Sequence, residues 1–316
     1  MRFGIVMDST CDLPRKFIDD HGITIMPITV RIDEHTFVDV RDPVATESYF
    51  QGDIGKRAHA AETDSLSVDE IRELFLGRLV LDYDAVFCLT VTSTRSPIYA
   101  NATQASFAIL GSYRPIRQAA GNSSPFLMRV VDTRNLFAAQ GIAAIEATRL
   151  IAADTGPGPI RERLTEIADQ TFGYALPRDL HYLRNRGRKK GDRSVSLLSA
   201  TLGTALDIKP VLQCVRGETK PVAKARGFEQ GAAMLFGHAT AAVRRGLLVP
   251  AVCVSYGGDL AELEPMPGFQ GLVEACAEAD VTLYRSMMSI TGMVNIGTGA
   301  ITLGYAAAGD DATFHG

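Results

Sequence analysis

The sequence predicts an α/β protein built from two domains. Short apolar segments typical of buried parallel strands alternate with helical segments through the first half. The second half mixes hairpin and helix patterns instead. Between the halves, residues 154–159 contain two glycines and two prolines in six positions, a composition that ends both neighbouring elements. We therefore expect an N-terminal α/β domain at residues 1–154 and a C-terminal mixed α/β domain at residues 155–316.

The first elements are a strand, a helix and a hairpin. Phe3–Met7 is a short apolar run of the kind found in a buried strand. A short helix opens at Pro14, with Asp12 as its expected N-cap. Ile23–Ile32 is extended in pattern, and Thr36–Val40 is expected to pair with it as a hairpin.

The rest of the first half predicts a parallel sheet flanked by helices on both faces. Residues 41–61 are polar and irregular in pattern. Ser67 and Glu70 have the spacing of a capping box before a helix. The following strands and helices are expected at Ala85–Thr90 and Phe126–Val131, and at Pro97–Leu110 and Leu136–Ala153.

The second half predicts mixed elements. Helices are expected at Ile160–Gln170, Asp179–Asn185, Gly227–Arg245 and Leu272–Ala279, and in the later part of 194–206. Strands are expected at Phe172–Leu176, Ala251–Ser255 and Val281–Arg285, with a hairpin of Val211–Val215 and Thr219–Ala225, and a last pair at Val294–Thr298 and Ala300–Tyr305.

Charge and composition exclude several function classes. The 316 residues contain 32 Lys and Arg against 36 Asp and Glu, which gives a net charge of −4 and argues against a general nucleic-acid binder. No apolar run approaches the roughly 18 residues of a membrane span, and the N-terminus shows no signal-peptide pattern. Five cysteines without a CxxC pair indicate free thiols, so we expect a cytoplasmic protein.

Hydroxyl side chains cluster where strands are expected to end. Any one such segment is explained by helix capping, but several together exceed what capping needs. No histidine lies near them in sequence to act as a base, whereas hydroxyls and helix N-termini bind oxyanions well. We therefore predict an anion-binding site with no catalytic residue and no metal. The segments hold Ser9 and Thr10, then Thr63, Ser65 and Ser67, then Thr92–Thr94 with Ser96, and lastly Thr133.

Two other features leave alternatives open. Asp8 follows the first strand as a phosphoryl-accepting aspartate would, but Thr10 stands where that chemistry normally has a second aspartate. The basic run at 184–193 is explained either by a solvated helix end or by a docking surface for an acidic or nucleotide-carrying partner.

A series of short motifs resembles the DegV family of fatty-acid-binding proteins along nearly the whole chain. Each motif alone is weak, but their order and spacing together are specific. The matches are Asp8–Pro14 (D-S-T-x-D-L-P), Thr63–Ser67 (T-S-Q-P-S), Thr92–Tyr99 (S-S-x-L-S-G-T-Y), Val131–Thr133 (V-D-S), Leu180–Arg188 (L-x-Y-L-K-K-G-G-R), Leu202–Gly203 and Ile208–Pro210 (L-G and I-K-P), Lys224–Arg226 (K-x-R) and Asn295–Ala300 (H-x-G-P-G-A).

The resemblance implies two α/β domains with an acyl chain buried inside and its carboxylate at the interdomain cleft. It further implies delivery of a long-chain fatty acid to a separate ATP-dependent kinase, with no cofactor other than the bound lipid and no stable membrane insertion. By motif, Thr63 and Ser93 would hold the carboxylate. Further expected ligand contacts are Ser9, Thr92, Ser96, Asn295 and Arg188, and the expected partner surface is Arg188, Lys224 and Arg226.

Departures from the family pattern bear on the head-group site. Asn295 stands where the family has histidine, and asparagine donates hydrogen bonds but takes up no proton. Pro97 and Ile98 replace a glycine and a threonine. The leading hypothesis is a fatty-acid-binding protein that presents the carboxylate to a kinase. The alternatives are a small-molecule phosphotransferase or hydrolase that uses Asp8, and a regulatory or scaffold protein that docks through its basic segment.

Overall fold

A computed structural model describes residues 1–52, 58, 60–190, 207–309 and 314. The strands are β1 Phe3–Asp8, β2 Thr24–Met26, β3 Ile28–Ile32, β4 His35–Asp39, β5 Glu62–Ser65, β6 Ala85–Thr90, β7 Leu127–Asp132, β8 Thr171–Leu176, β9 Ile208–Val215, β10 Glu218–Arg226, β11 Ala251–Tyr256, β12 Thr282–Met287 and β13 Ile301–Ala306.

The described helices lie between these strands. They are α1 Arg15–Asp20, α2 Pro43–Gln51, α3 Val68–Leu74, which continues through a π-helical turn at Phe75–Leu79 into α4 Val80–Asp82, then α5 Ile98–Ala108, α6 Tyr113–Ala119, α7 Phe137–Ala152, α8 Pro157–Gln170, α9 Leu180–Lys190, α10 Phe228–Arg245, α11 Phe269–Glu278 and α12 Ile290–Ile296.

The first sheet is parallel, as the sequence predicts. Its strand order is β2-β1-β6-β7, and each neighbouring pair is parallel. All six residues of β6 are buried, as expected for a strand covered on both faces. The predicted capping box is also present, because the Ser67 hydroxyl accepts from the Glu70 N–H and the Glu70 carboxylate accepts from the Ser67 N–H.

A small antiparallel sheet follows, with the strand order β4-β3-β5. It confirms the β3–β4 hairpin. The prediction of irregular structure over residues 41–61 is wrong for its first part, which forms α2. Asp42 begins that helix by accepting from the Ala45 N–H at 2.8 Å, and Pro43 occupies its first turn. The short, largely exposed α2 carries too little apolar pattern to be recognised from sequence.

The second sheet is mixed, with the order β10-β9-β8-β13-β11-β12 in the part of the chain that the structure describes. The β11–β12 pair is parallel and the other neighbouring pairs are antiparallel. The predicted β9–β10 hairpin is present around Arg216 and Gly217. Together the sheets make the mixed α/β architecture that the sequence predicts.

Helix α7 joins the two large sheets. It follows β7 of the first sheet but packs mainly on β8, β11 and β13 of the second. The approach to β13 is so close that a Cβ atom on Gly304 would collide with the backbone of Ala139, so only glycine fits there. Helix α8 packs against α7 and β7. The division between residues 154 and 155 stays a prediction.

Two local predictions are wrong because long-range contacts decide the outcome. Helix α1 begins at Arg15 with no side-chain cap, and Asp12 is instead buried, where it accepts from the Ser255 hydroxyl at 2.6 Å and the Ser289 N–H at 2.9 Å. The expected strand at 294–298 belongs largely to α12, which Ser289 caps through the Gly292 N–H. The helix expected in 194–206 lies outside the described residues.

Within the described ranges, every helix is too short or too polar to cross a membrane. All five cysteines are buried and free of disulfides.

Candidate functional site

A cavity of about 490 Å³ lies between the two large sheets and the small one, a size typical of small-molecule sites. The carboxyl ends of β1 and β6 open into it, which is where open α/β sheets bind ligands. Its apolar wall consists of Ile28, Val91, Pro97, Leu136, Phe137, Leu183, Leu212, Pro221 and Ile296. Its polar wall consists of Thr10, Thr63, Asp64, Ser65, Arg95, Ser96, Arg186, Thr219, Lys220, Thr291 and Asn295.

Three of the predicted ligand residues lie in this wall. Thr63 is on β5, Ser96 precedes α5, and Asn295 is near the end of α12. The Ser96 hydroxyl accepts from the Ile98 N–H at 3.3 Å. The fold therefore brings together three residues that are distant in the sequence.

Three other predicted ligand residues lie near the same sheet edge but outside the cavity wall. The buried Ser9 hydroxyl accepts from the Ile28 N–H at 3.2 Å. Thr92 is buried, and its hydroxyl lies 3.2 Å from that of Thr94. Ser93 is exposed. Their assignment to the ligand stays a prediction.

The predicted partner surface is described in part. Lys224 and Arg226 are exposed on β10, the edge strand of the second sheet. They lie two residues apart, so they face the same side of the strand. The side chain of Arg188 lies outside the described residues.

A buried carboxyl group lies directly behind the cavity wall. Asp8 accepts from the Val91 N–H at 2.6 Å and the Thr10 N–H at 3.1 Å, and Gln140 Nε2 donates to it at 3.0 Å. The Thr10 hydroxyl contacts both the Asp8 carboxyl and, at 2.7 Å, Gln140 Oε1. One hydroxyl proton satisfies only one of these two acceptors. Every contact becomes a hydrogen bond when the Asp8 carboxyl carries a proton. The carboxyl then donates to the Thr10 hydroxyl, and that hydroxyl donates to Gln140 Oε1.

The pKa of Asp8 agrees with that arrangement. Burial raises the pKa of Asp8 above its usual value. The hydrogen bonds from Thr10, Val91 and Gln140 lower the pKa, but burial has the larger effect. A buried, protonated carboxyl is a poor nucleophile, since phosphoryl transfer to a carboxylate needs it ionised and accessible. The geometry therefore gives no support to the use of Asp8 as a phosphoryl acceptor.

Arg186 is the cavity residue that sequence reasoning placed wrongly. It belongs to the basic run, whose two interpretations both put its side chains in solvent, yet it is only 2% exposed. Helix α9 turns Tyr182, Leu183 and Arg186 inwards together. Their spacing of three and four residues is the signal that was available for this face.

The contacts of Arg186 join three parts of the site. Its Nη1 donates to the carbonyl of Ala61, two residues before Thr63. Its Nε and Nη2 each lie 3.5 Å from Asn295 Oδ1. Asn295 is itself oriented by donating from Nδ2 to the Thr291 carbonyl at 2.8 Å. The start of β5, α9 and α12 thus meet around one guanidinium.

Comparison with known proteins gives the family of this chain. A family model described as "Uncharacterised protein, DegV family" matches residues 2–308. A DegV domain-containing protein of Xanthomonas campestris pv. campestris is 56% identical over 307 residues, which are 97% of this chain and 98% of that protein. The chain belongs to the DegV family. A second DegV domain-containing protein, from Xanthomonas axonopodis pv. citri, is likewise 56% identical over 307 residues, with the same coverage of both chains.

Solved structures of lipid-binding and fatty-acid-binding proteins share the fold at low sequence identity. A DegV lipid-binding protein from Thermotoga maritima has a TM-score of 0.74 at 20% identity, covering 98% of this chain and 100% of that one. DegV from Bacillus subtilis, a fatty-acid-binding protein, has a TM-score of 0.73 at 21% identity, covering 97% and 99%. A stearic acid-binding protein from Eubacterium ventriosum has a TM-score of 0.74 at 20% identity, covering 96% and 98%.

Proposed function

We propose that this DegV protein binds a long-chain fatty acid, shields the acyl chain in the cavity and presents the carboxylate to an ATP-dependent kinase in the cytoplasm. The observation that carries the proposal is the cavity itself, which combines an apolar wall with the polar side chains of Thr63, Ser96 and Asn295. The fatty-acid-binding proteins of the same fold support it.

The energetics suit a lipid. Burial of an acyl chain contributes about 0.8 kcal/mol per methylene, so a long chain offers on the order of 10 kcal/mol before the costs of association. A carboxylate removed from water needs hydrogen-bond donors. The hydroxyl of Thr63 and the amide of Asn295 are hydrogen-bond donors for the carboxylate. Neither group is a general base that activates water for hydrolysis.

The kinase-facing part of the proposal rests on β10. The segment Thr219–Pro221 of this strand lines the cavity, and the exposed Lys224 and Arg226 follow on the same strand. A partner that docks on these two cations therefore lies near the polar wall of the cavity. A nucleotide-carrying or acidic partner has the complementary charge.

Lipid binding is tested on the protein as purified from its native host or after delipidation. Mass spectrometry of an organic extract is expected to detect a long-chain fatty acid, and the delipidated protein is expected to take up added oleate. Absence of both a co-purified acyl lipid and oleate binding would contradict the proposal.

Presentation is tested separately with a purified fatty acid kinase and ATP. The double variant Lys224→Glu/Arg226→Glu is expected to retain oleate but to lose acyl phosphorylation. The matched control is Arg244→Glu/Arg245→Glu at the exposed end of α10, which makes the same charge change. Equal phosphorylation in both variants would contradict docking on β10.

A further inference from the structure

Arg186 is a buried charge that the described protein does not balance. The side chain is 2% exposed, and its described partners, the Ala61 carbonyl and Asn295 Oδ1, are both uncharged. No ion pair joins Arg186 to a carboxylate within the described ranges of the chain. A buried guanidinium without an anion is costly, because the protein replaces its hydration only in part.

Two described carboxylates near this part of the cavity, those of Asp39 and Asp64, are engaged elsewhere. Asp39 accepts from the Thr291 N–H at 2.9 Å and from the Thr291 hydroxyl at 2.8 Å, which holds the start of α12. Asp64, in the cavity wall, pairs with Arg31 on the neighbouring strand. Neither neutralises Arg186.

Among the described residues, two phenols also face Arg186. Burial raises the pKa of Tyr182 and of Tyr49, so both stay neutral. The Tyr182 hydroxyl donates to the Val294 carbonyl at 2.7 Å. Burial also lowers the pKa of Arg186, but a guanidinium starts so high that it stays charged at neutral pH.

The geometry leaves donors for a ligand. A guanidinium carries five N–H groups in a rigid fork. The described contacts occupy at most three of them, one on Nη1 and those of Nε and Nη2 that approach Asn295 at 3.5 Å. Arg186 and Asn295 both line the cavity. The remaining N–H groups suit an oxyanion, which a guanidinium binds in bidentate fashion.

We propose that Arg186 binds the head group of the ligand and makes this site specific for a carboxylate over uncharged lipids. Asn295 orients the guanidinium through Oδ1, and Thr63 lies in the same cavity wall. The inference rests on the proposed fatty-acid binding and adds to it the residue that selects the charged head group. The family pattern has glycine at the position of Arg186 and histidine at that of Asn295. The two residues that depart from the pattern therefore contact each other.

The experiment compares oleate with oleyl alcohol, which share a chain and differ in the head group. Each radiolabelled lipid is offered to the delipidated protein from phosphatidylcholine vesicles, and retained label is counted after the vesicles are removed. The wild type is expected to prefer oleate by about 10- to 100-fold, the range for a hydrogen bond to a charged group. In Arg186→Gln this preference is expected to fall to near one, with oleyl alcohol binding unchanged. Arg78→Gln, at an exposed arginine, is the matched control and is expected to keep the preference.

The remaining outcomes separate the inference from the proposed function. Two outcomes would show that the protein binds lipid but that Arg186 does not select the charged head group. In one, the wild type binds both lipids equally; in the other, Arg186→Gln keeps the wild-type preference for oleate. If Arg186→Gln loses both lipids to the same extent, its role is structural and the inference is overturned. If the wild type retains neither lipid, the proposed function itself fails. Arg186→Lys, which keeps the charge without the fork, is expected to hold an intermediate preference and replaces Arg186→Gln if that variant does not fold.

Discussion

Arg117 and Arg186, the most deeply buried arginines among the described residues, have opposite surroundings. Arg117, on α6, is 1% exposed. Its Nη1 donates to the Val80 and Tyr83 carbonyls at 2.5 and 2.6 Å, and its Nη2 pairs with Asp84 at 2.9 Å. This guanidinium, which does not line the cavity, joins α4 to the residues just before β6.

The donors of Arg117 are fully used. Nη2 also donates to the Ser124 hydroxyl at 2.6 Å, and Nε donates to the Ser124 carbonyl at 3.0 Å. Arg186 has no comparable set among the described residues, although it is buried almost as deeply. The difference shows that burial alone does not assign a role to an arginine. A saturated guanidinium stabilises the fold, whereas one with donors left in a cavity is suited to binding.

Removal of the saturated arginine is expected to have the largest effect. Arg117→Met removes the arginine donor from three carbonyls, and it takes one of several donors from the Asp84 carboxylate, which keeps its bond from the Arg2 N–H. The free energy of unfolding is therefore expected to fall by about 3 kcal/mol. Urea denaturation measures the change. Arg114→Met, at an exposed position of the same helix, is the control and is expected to stay within about 0.5 kcal/mol. A similar small change for both variants would remove the contrast between the two arginines.

A second change gives Arg186 the kind of partner that Arg117 has. Asn295→Asp places a carboxylate where Oδ1 now faces the guanidinium, so the built-in ion pair competes with the ligand. Oleate affinity is expected to fall by about 10-fold or more, while oleyl alcohol affinity is unchanged. The vesicle retention assay reads both. Asn185→Asp, which makes the same charge change at an exposed position of α9, serves as the control and is expected to keep wild-type oleate binding; unaltered oleate binding in Asn295→Asp would contradict the charge argument.

The third test compares the folding stability of the unliganded wild type and the unliganded Arg186→Met variant. Arg186→Met removes a buried charge together with one carbonyl contact, and these effects oppose each other. The free energy of unfolding is therefore expected to change by less than about 1 kcal/mol, in contrast to Arg117→Met. Urea denaturation of the delipidated variants is the measurement. A loss as large as that of Arg117→Met would show that Arg186 mainly holds the fold.

The smallest expected effect is a difference in pH dependence. The backbone N–H of Arg2, and then the side chain of Arg117, lower the pKa of Asp84 to about 2. Since the unfolded carboxyl titrates at about 3.9, this stabilisation is present above about pH 4 and is lost as the pH falls towards 2.

Arg117→Met is expected to reduce the loss of folding stability between pH 4 and pH 2. Arg186→Met is expected to leave that loss unchanged. Urea denaturation repeated between pH 5 and pH 2, at low salt, compares the slopes. An equal slope in wild type and Arg117→Met would mean that Arg2 alone sets the pKa of Asp84.

Features set by neighbouring residues were predictable from the sequence. The capping box of Ser67 and Glu70 lies within four residues, and the β9–β10 hairpin turns at Arg216 and Gly217. The parallel sheet followed from buried apolar runs separated by helices. In each case the pattern and the structure depend on the same short stretch of chain.

Features set by distant residues were not predictable in the same way. Asp12 has the type and position of an N-cap, but Ser255 and Ser289 bind it from the second half of the chain. Arg186 lies in a basic run, so its charge favours a solvent-exposed position over the inward face of α9, and its contacts with Ala61 and Asn295 come from distant parts of the chain. Such contacts join residues more than a hundred positions apart, and no local pattern records them.

The placement of α7 has a consequence for how the chain can be divided. By order along the chain this helix belongs to the first half, but β13 and β11 of the second half form the surface on which it rests. A fragment that ends at residue 154 would expose the apolar face of α7, and one that begins at residue 155 would uncover Gly304 and the strand around it. Truncated or permuted forms of this protein should therefore carry α7 with the second sheet, because a helix shared in this way makes the two halves a single cooperative unit.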